Sequence, residues 1–198
     1  PSKPFVAGVG INNVSCSSSK KQNVNKQYEQ IIKNFNIYKG DFLQKINLKY
    51  IVLCKNLKVS EISALGFANP EMKTLIFNIN TDEKLLDRVL HHEVFHFIQH
   101  GNEDLFNRVN WEKLNDSNFK YQDCSTCTEK LGLNYSNSNN GFLTDYSMST
   151  PYEDMAEVYS FMITNKNLLI KRSKKDAVIE KKTNFIKKYI SKLENSIE

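Results

Sequence analysis

Apolar residues recur at helical spacing near the start of the chain. Between residues 20 and 38 they fall at i, i+4, i+7, i+8 and i+11, namely Val24, Tyr28, Ile31, Ile32 and Phe35. This spacing predicts an amphipathic helix, and Gly40 marks its end. Residues 1–19 are rich in Ser, Gly and Asn and show no period, which predicts a flexible N-terminal arm.

Three short apolar segments follow the first helix and predict strands. Residues 48–54 form an apolar run that is typical of a buried strand. Residues 64–68 and 74–79 flank the turn signal Asn69-Pro70-Glu71 and predict a hairpin.

The segment over residues 82–100 is apolar nearly all round at helical spacing, so it predicts a central helix. Asn80 or Thr81 can cap the N-terminus of this helix, and the negative charges of Asp82 and Glu83 suit its first turn. Gly101 ends the helix. Residues 102–140 are Asn-rich and weakly patterned, which indicates a long insertion. Two more helices are predicted over residues 152–164 and 174–193.

This order of elements predicts an α+β fold. A small mixed sheet with a backing helix and the helix over residues 82–100 precedes an all-helical C-terminal lobe. The predicted organisation is a single domain over residues 20–198, with an α+β lobe at 20–101, the insertion at 102–140 and the helical lobe at 141–198.

The composition argues against a nucleic-acid-binding surface and a membrane span, but it does not indicate a particular function. The 198 residues are 40% hydrophobic and 25% charged, as in an ordinary globular protein, and the net charge is +5. Much of this charge lies at helical spacing between Lys166 and Lys192, which predicts a solvated helix face rather than a nucleic-acid surface. No apolar run approaches 18 residues, so no membrane span is expected. Oligomeric state is not indicated.

The four cysteines fit no dense disulfide framework. Cys124 and Cys127 form a lone CxxC, with no second CxxC or suitably spaced His pair after it. The CxxC could form a local disulfide, supply half of a metal site or have no role, and we expect that it has no role.

The strongest chemical signal is the HExxH sequence His92-Glu93-Val94-Phe95-His96. Two histidines four residues apart lie on one helical face, where both can bind a single Zn²⁺. Glu93 falls within about 100° of both histidines around the helix axis, so it can act as the general base on a metal-bound water. We therefore predict one Zn²⁺ per chain.

Catalytic zinc usually takes a third protein ligand, and the neighbouring histidines are poor candidates. His91 is rotated about 100° from His92, and His100 lies near the helix end. Glu153 and Glu157 share one face of a predicted helix among apolar neighbours, where carboxylates are costly unless cations meet them. One could bind zinc and the other a ligand histidine, and the spacing permits either assignment. A solvated face that pairs with lysines is the alternative.

The same residues carry a resemblance to known families. HExxH followed by Tyr146, Glu153, Ala156 and Glu157 resembles the gluzincin metallopeptidases of the anthrax lethal factor type, which have a Y-x(6)-E-x-x-A-E pattern. A second zinc-binding metallopeptidase family is similar at Trp111-Glu-Lys-Leu-Asn115, Phe119-Lys-Tyr121 and Gly141-Phe142-Leu-Thr-Asp-Tyr146. The resemblance covers roughly residues 75–165 and gives no mechanistic counterpart for the insertion, residues 102–140.

This resemblance implies a zincin-like fold and a zinc-dependent endopeptidase. It implies that His92, His96 and Glu153 bind zinc and that Glu93 is the general base. Its implied substrate is a protein or peptide, and the lethal factor type implies a secreted toxin or an effector delivered into a host.

The remaining roles follow from the same resemblance. Tyr146 would donate its hydroxyl to the oxyanion, and Glu157 would orient a ligand histidine. An edge strand before the active helix pairs with extended substrate in zincins, and residues Thr74, Leu75, Ile76 and Phe77 are the candidates here. Two alternatives stay open: a catalytically silent zinc-binding interaction module, and a helical interaction domain with an accidental HExxH.

Overall fold

The computed structural model describes residues 14–18, 24–125, 135–136 and 140–195. The chain divides into two compact units, Pro1–Gly101 and Asn102–Glu198. Together the described residues form a mixed α+β fold with one small sheet and seven α-helices, so the predicted fold class is correct at this level. No described helix has the length and apolar character needed to cross a membrane.

The sheet belongs to the first unit. Its strands are β1 (Val14–Ser17), β2 (Tyr50–Val59), β3 (Ile62–Ser63), β4 (Gly66–Asn69) and β5 (Thr74–Asn78). Their order is β1-β2-β5-β4, and β3 pairs with β2. The β4–β5 pair is antiparallel, which confirms the predicted hairpin, whereas β2 and β5 run parallel.

The strand order corrects the predicted substrate-binding strand. Because β5 pairs with β2 on one side and β4 on the other, it is an interior strand with no free edge. Thr74, Leu75, Ile76 and Phe77 are all 0% exposed. Their backbone groups are used within the sheet, so the prediction that this strand lies at the sheet edge is wrong. Among the described strands, β4 is the edge strand beside β5.

The N-terminal strand corrects a second prediction. Val14 pairs with Val59 of β2 and is buried in a cluster with Cys54, Leu57 and Ile76. Cys16 forms a disulfide bond with Cys54, which links β1 to β2. The flexible arm predicted over residues 1–19 is therefore wrong for Val14–Ser17, and residues 1–13 and 19 lie outside the described residues.

The helices of the first unit are α1 (Asn25–Phe35), α2 (Phe42–Lys45) and α3 (Glu83–His100). The N-cap of α3 is Asp82, one residue after Thr81 and two after Asn80, because the Asp82 side chain accepts a hydrogen bond from the Lys84 N–H. Helix α3 packs on β4 and β5, and α1 packs on α3. Helix α1, which was predicted to pack on the sheet, thus packs on the HExxH helix α3 instead.

The second unit contains α4 (Arg108–Glu112), α5 (Pro151–Thr164), α6 (Lys166–Ser173) and α7 (Ala177–Asn195). Phe106 and Trp111 are fully buried, so residues predicted to form an insertion supply part of its core. Lys182 of α7 is also fully buried, which corrects the prediction of a wholly solvated basic face.

The cysteines differ from expectation as well. Cys124 is disulfide-bonded, which contradicts the expectation that it has no role, and Cys127 lies outside the described residues.

The Cys16–Cys54 bond should contribute measurably to stability. It closes a segment with a sequence separation of 38, so its loss frees much chain entropy in the unfolded state. We expect the Cys16→Ser/Cys54→Ser variant to lose about 2–4 kcal/mol of unfolding free energy. Urea titration followed by circular dichroism measures this difference. Unchanged stability would show that the bond does not constrain this unit.

Candidate metal centre

The HExxH segment lies within one continuous helix, α3, as predicted. The Nε2 atoms of His92 and His96 are 3.3 Å apart, and their rings meet edge to face at 76°. His92 is only 5% exposed. Two imidazole nitrogens that converge in a largely buried position suit a shared cation, because neutral imidazole offers a lone pair to a metal.

Glu93 is 8% exposed and lies against the edge strand β4. A Cβ atom added to Gly66 would come within 2.8 Å of Glu93 Cγ and 2.9 Å of Glu93 Oε1. It would also come within 2.7 Å of Val89 Cγ1. Only a glycine allows β4 to pass this close to α3, so the absence of a side chain at residue 66 leaves room for the Glu93 side chain.

The neighbouring histidines have other environments. His91 is buried, with Nδ1 2.7 Å from the Tyr38 hydroxyl and Nε2 3.1 Å from Asn34 Oδ1. The Asn34 amide nitrogen donates to Asp87, so its oxygen faces His91 and the proton of the neutral ring lies on Nε2. Burial lowers the pKa of His91 to about 4, an effect that Asp87 opposes. Both ring nitrogens are used within the fold, and His100 is exposed at the helix end.

Helix α5 of the second unit holds the two candidate carboxylates. Its first turn is fixed by Pro151 and by Thr150, whose side chain accepts from the Glu153 N–H at 3.3 Å. Glu153 is half-buried, whereas Glu157 is buried. Thr144 Oγ1 donates to Glu157 Oε2 at 2.8 Å, so the Glu157 carboxylate is oriented from the segment before α5.

Tyr146 begins a short 3₁₀ helix, Tyr146–Met148, and is half-buried. Its carbonyl accepts a hydrogen bond from Ser149 Oγ at 2.7 Å. Thr144 and Ser147 hydrogen-bond to each other through their hydroxyls at 3.0 Å. Sequence reasoning missed both, because a Thr and a Ser in a short loop resemble ordinary turn residues.

A three-residue group meets the geometric requirement for a metal site. The ligand atoms of His92, His96 and Glu153 all lie within 4.8 Å of one another. Two imidazoles and a carboxylate are a donor set that catalytic zinc uses, with a further position open to water. The donors in the described part of the chain therefore fit zinc.

Comparison with known proteins agrees with this chemistry. The chain belongs to the family described as "putative zinc-binding metallo-peptidase", whose model matches residues 16–195. No curated protein and no solved structure matches the chain. The predicted relationship to zinc metallopeptidases is confirmed, and the match extends well beyond the residues 75–165 that carry the sequence resemblance.

Gly66→Ala should disturb the packing of β4 on α3. The added methyl group overlaps Val89 and Glu93, and overpacking of this kind typically costs about 1–3 kcal/mol. Urea unfolding should show this loss. Gly101→Ala is the matched control, because its added Cβ meets nothing closer than 3.6 Å. Equal stability of the two variants would contradict the close approach.

Proposed function

We propose that the protein is a zinc-dependent endopeptidase of the HExxH…E gluzincin type, with one Zn²⁺ per chain held by His92, His96 and Glu153. The observation that carries the proposal is the His/His/Glu group in a chain of this family. Bound zinc at such a site lowers the pKa of a coordinated water toward ~7 and polarises a carbonyl.

Glu93 is the general base in this proposal. Its carboxylate accepts a proton from the water as the water oxygen bonds to the scissile carbonyl carbon. The same carboxyl group then returns that proton to the amide nitrogen as the carbon–nitrogen bond breaks. The burial of Glu93 supports this role, since a site that excludes bulk water strengthens the electrostatic interactions of a reacting carboxylate.

Tyr146 and Glu157 complete the assignment. The Tyr146 hydroxyl donates a hydrogen bond to the negative charge that develops on the carbonyl oxygen. Glu157 accepts a hydrogen bond from the second ring nitrogen of a ligand histidine and so fixes that ring's tautomer. The Thr144 hydroxyl supports this role because it holds the Glu157 carboxylate in one orientation.

We assign substrate pairing to β4. An extended peptide can add to an exposed sheet edge through main-chain hydrogen bonds. β4 is the edge strand beside β5, and its first residue, Gly66, contacts Glu93. A peptide aligned along β4 would therefore run past the proposed general base, and the substrate class is a protein or peptide in extended conformation.

Zinc affinity should separate the ligands from their neighbours. His92→Gln, His96→Gln and Glu153→Gln each remove a ligand and should release zinc to a chelator that wild type resists. Glu157→Gln should weaken zinc binding by about 10- to 100-fold, because it removes only the orienting contact. His100→Gln serves as the control on the same helix and should keep one zinc per chain. Tight zinc binding by Glu153→Gln would reject that ligand.

Cleavage-site profiling on a peptide library tests the activity. Glu93→Gln should keep zinc but lose about three orders of magnitude or more in rate, because the general base is gone. Tyr146→Phe should lose about 10²–10³-fold, as removal of one oxyanion donor does. If every cleavage made by wild type is made equally by Glu93→Gln, the peptidase proposal is wrong, and a zinc-loaded protein without cleavage would be a silent binding module.

A further inference from the structure

A lysine of the second unit is enclosed in the protein interior. Lys182 and Asp154 are both 0% exposed, and Lys182 Nζ lies 2.7 Å from Asp154 Oδ2. The same carboxylate oxygen accepts from Trp111 Nε1 at 2.9 Å and from the Tyr121 hydroxyl at 2.6 Å. The ammonium also lies 3.8 Å from the centre of the Phe142 ring.

Lys182 connects α7 to two other segments. Its ammonium donates to the Gly141 carbonyl at 2.7 Å, while Asp176, which caps α7, accepts from the Gly141 N–H at 2.8 Å. The N–H and the carbonyl of Gly141 are thus both hydrogen-bonded to side chains of α7 or of its capping residue. Gly141 has φ +86°, and an added Cβ would lie 2.5 Å from Val178 Cγ1, so no other residue fits there without a shift.

The two connected segments bear the residues proposed for chemistry. Asp154 follows Glu153 directly in α5, so a shift or rotation of α5 that moves one moves the other. Gly141 begins the segment that contains Thr144, the partner of Glu157, and Tyr146. Lys182 therefore bonds through one side chain to both α5 and residue 141.

We propose that Lys182 is a positioning residue that holds α5 and the segment from Gly141 to Ser149 in fixed register, so that Glu153, Glu157 and Tyr146 keep their relative positions. This inference rests on the proposed function. A buried ion pair is weak evidence for stability, because apolar side chains of similar volume are often equally stable. What an apolar pair cannot reproduce is the directed bond from one ammonium to both Asp154 and the Gly141 carbonyl.

The decisive variant is Asp154→Asn/Lys182→Met. It removes both charges together and so avoids the uncompensated buried carboxylate that Lys182→Met alone would leave. Asparagine retains an acceptor for Trp111 and Tyr121, and methionine fills most of the lysine volume. Lys181→Met is the matched control, because Lys181 is the exposed neighbour on the same helix.

Three measurements separate positioning from mere packing in the folded double variant. Amide hydrogen exchange over residues 141–149 should quicken by about tenfold or more, while exchange in the centre of α7 stays near wild type. Zinc affinity should fall by about 10- to 100-fold in chelator competition. The kcat for peptide cleavage should fall by about 10- to 100-fold with little change in KM, because displaced groups weaken the transition state more than substrate binding. Lys181→Met should match wild type in all three.

Wild-type exchange and wild-type zinc affinity in the folded double variant would overturn the proposal. If the double variant does not fold, hydrogen exchange of the wild-type protein tests the proposal instead. Amides near Gly141 that exchange as fast as those of an open loop would also overturn the proposal. Exchange and zinc binding do not need peptidase activity. A wild-type protein that binds zinc without cleaving peptides would therefore reject the proposed function and leave this inference to be judged separately.

Discussion

Charged side chains in the protein interior need a partner of opposite charge or a hydrogen bond, and this need constrains where the side chains near the candidate site lie. Most residues of helices α3 and α5 are buried, and they include histidines and carboxylates, for which an unmatched charge would cost several kcal/mol. Burial raises the pKa of Asp154 and lowers the pKa of Lys182, and the attraction between the two groups opposes both shifts. His91 is satisfied by Tyr38 and Asn34 instead.

The available partners also differ between side chains of the same type that lie close together on one helix. His91 and His92 are adjacent on α3, but Asn34 of α1 and Tyr38, which follows α1, bond to the two ring nitrogens of His91, while His92 converges on His96. Asp154 and Glu157 lie on the same helix, yet one bonds to Lys182 and the other to Thr144. Rigid surroundings of this kind position groups more accurately than flexible loops do.

Local patterns predicted the elements near the candidate site, and long-range pairing explains most of the errors. The ranges of α3 and α5 were predicted to within one residue at each end, although the cap of α3 was not, and HExxH located two ring nitrogens that the structure brings to 3.3 Å. Strand β1 was missed because four residues in a Ser-rich stretch acquire their structure from β2, more than 30 residues away. The interior position of β5 depends on its parallel pairing with β2.

Other signals were present but weak. The unbroken apolar run Leu75-Ile76-Phe77 is typical of a strand buried on both faces, which argues against an edge position. Lys182 is three residues after Ile179 and four before Ile186, so it lies on the same buried face of α7. This spacing predicts an inward position, but a lysine is usually expected on the surface. The residues Trp111, Tyr121, Phe142 and Gly141, which carry part of the family resemblance, all surround this lysine or its partner.

The proposed zinc site can be tested by a crystal structure of the zinc-loaded protein, with diffraction data collected on both sides of the zinc absorption edge. We expect one anomalous peak per chain, within roughly 2.0–2.2 Å of a ring nitrogen of His92, a ring nitrogen of His96 and a carboxylate oxygen of Glu153. A peak at another site, or a bound zinc from which Glu153 turns away, would contradict it.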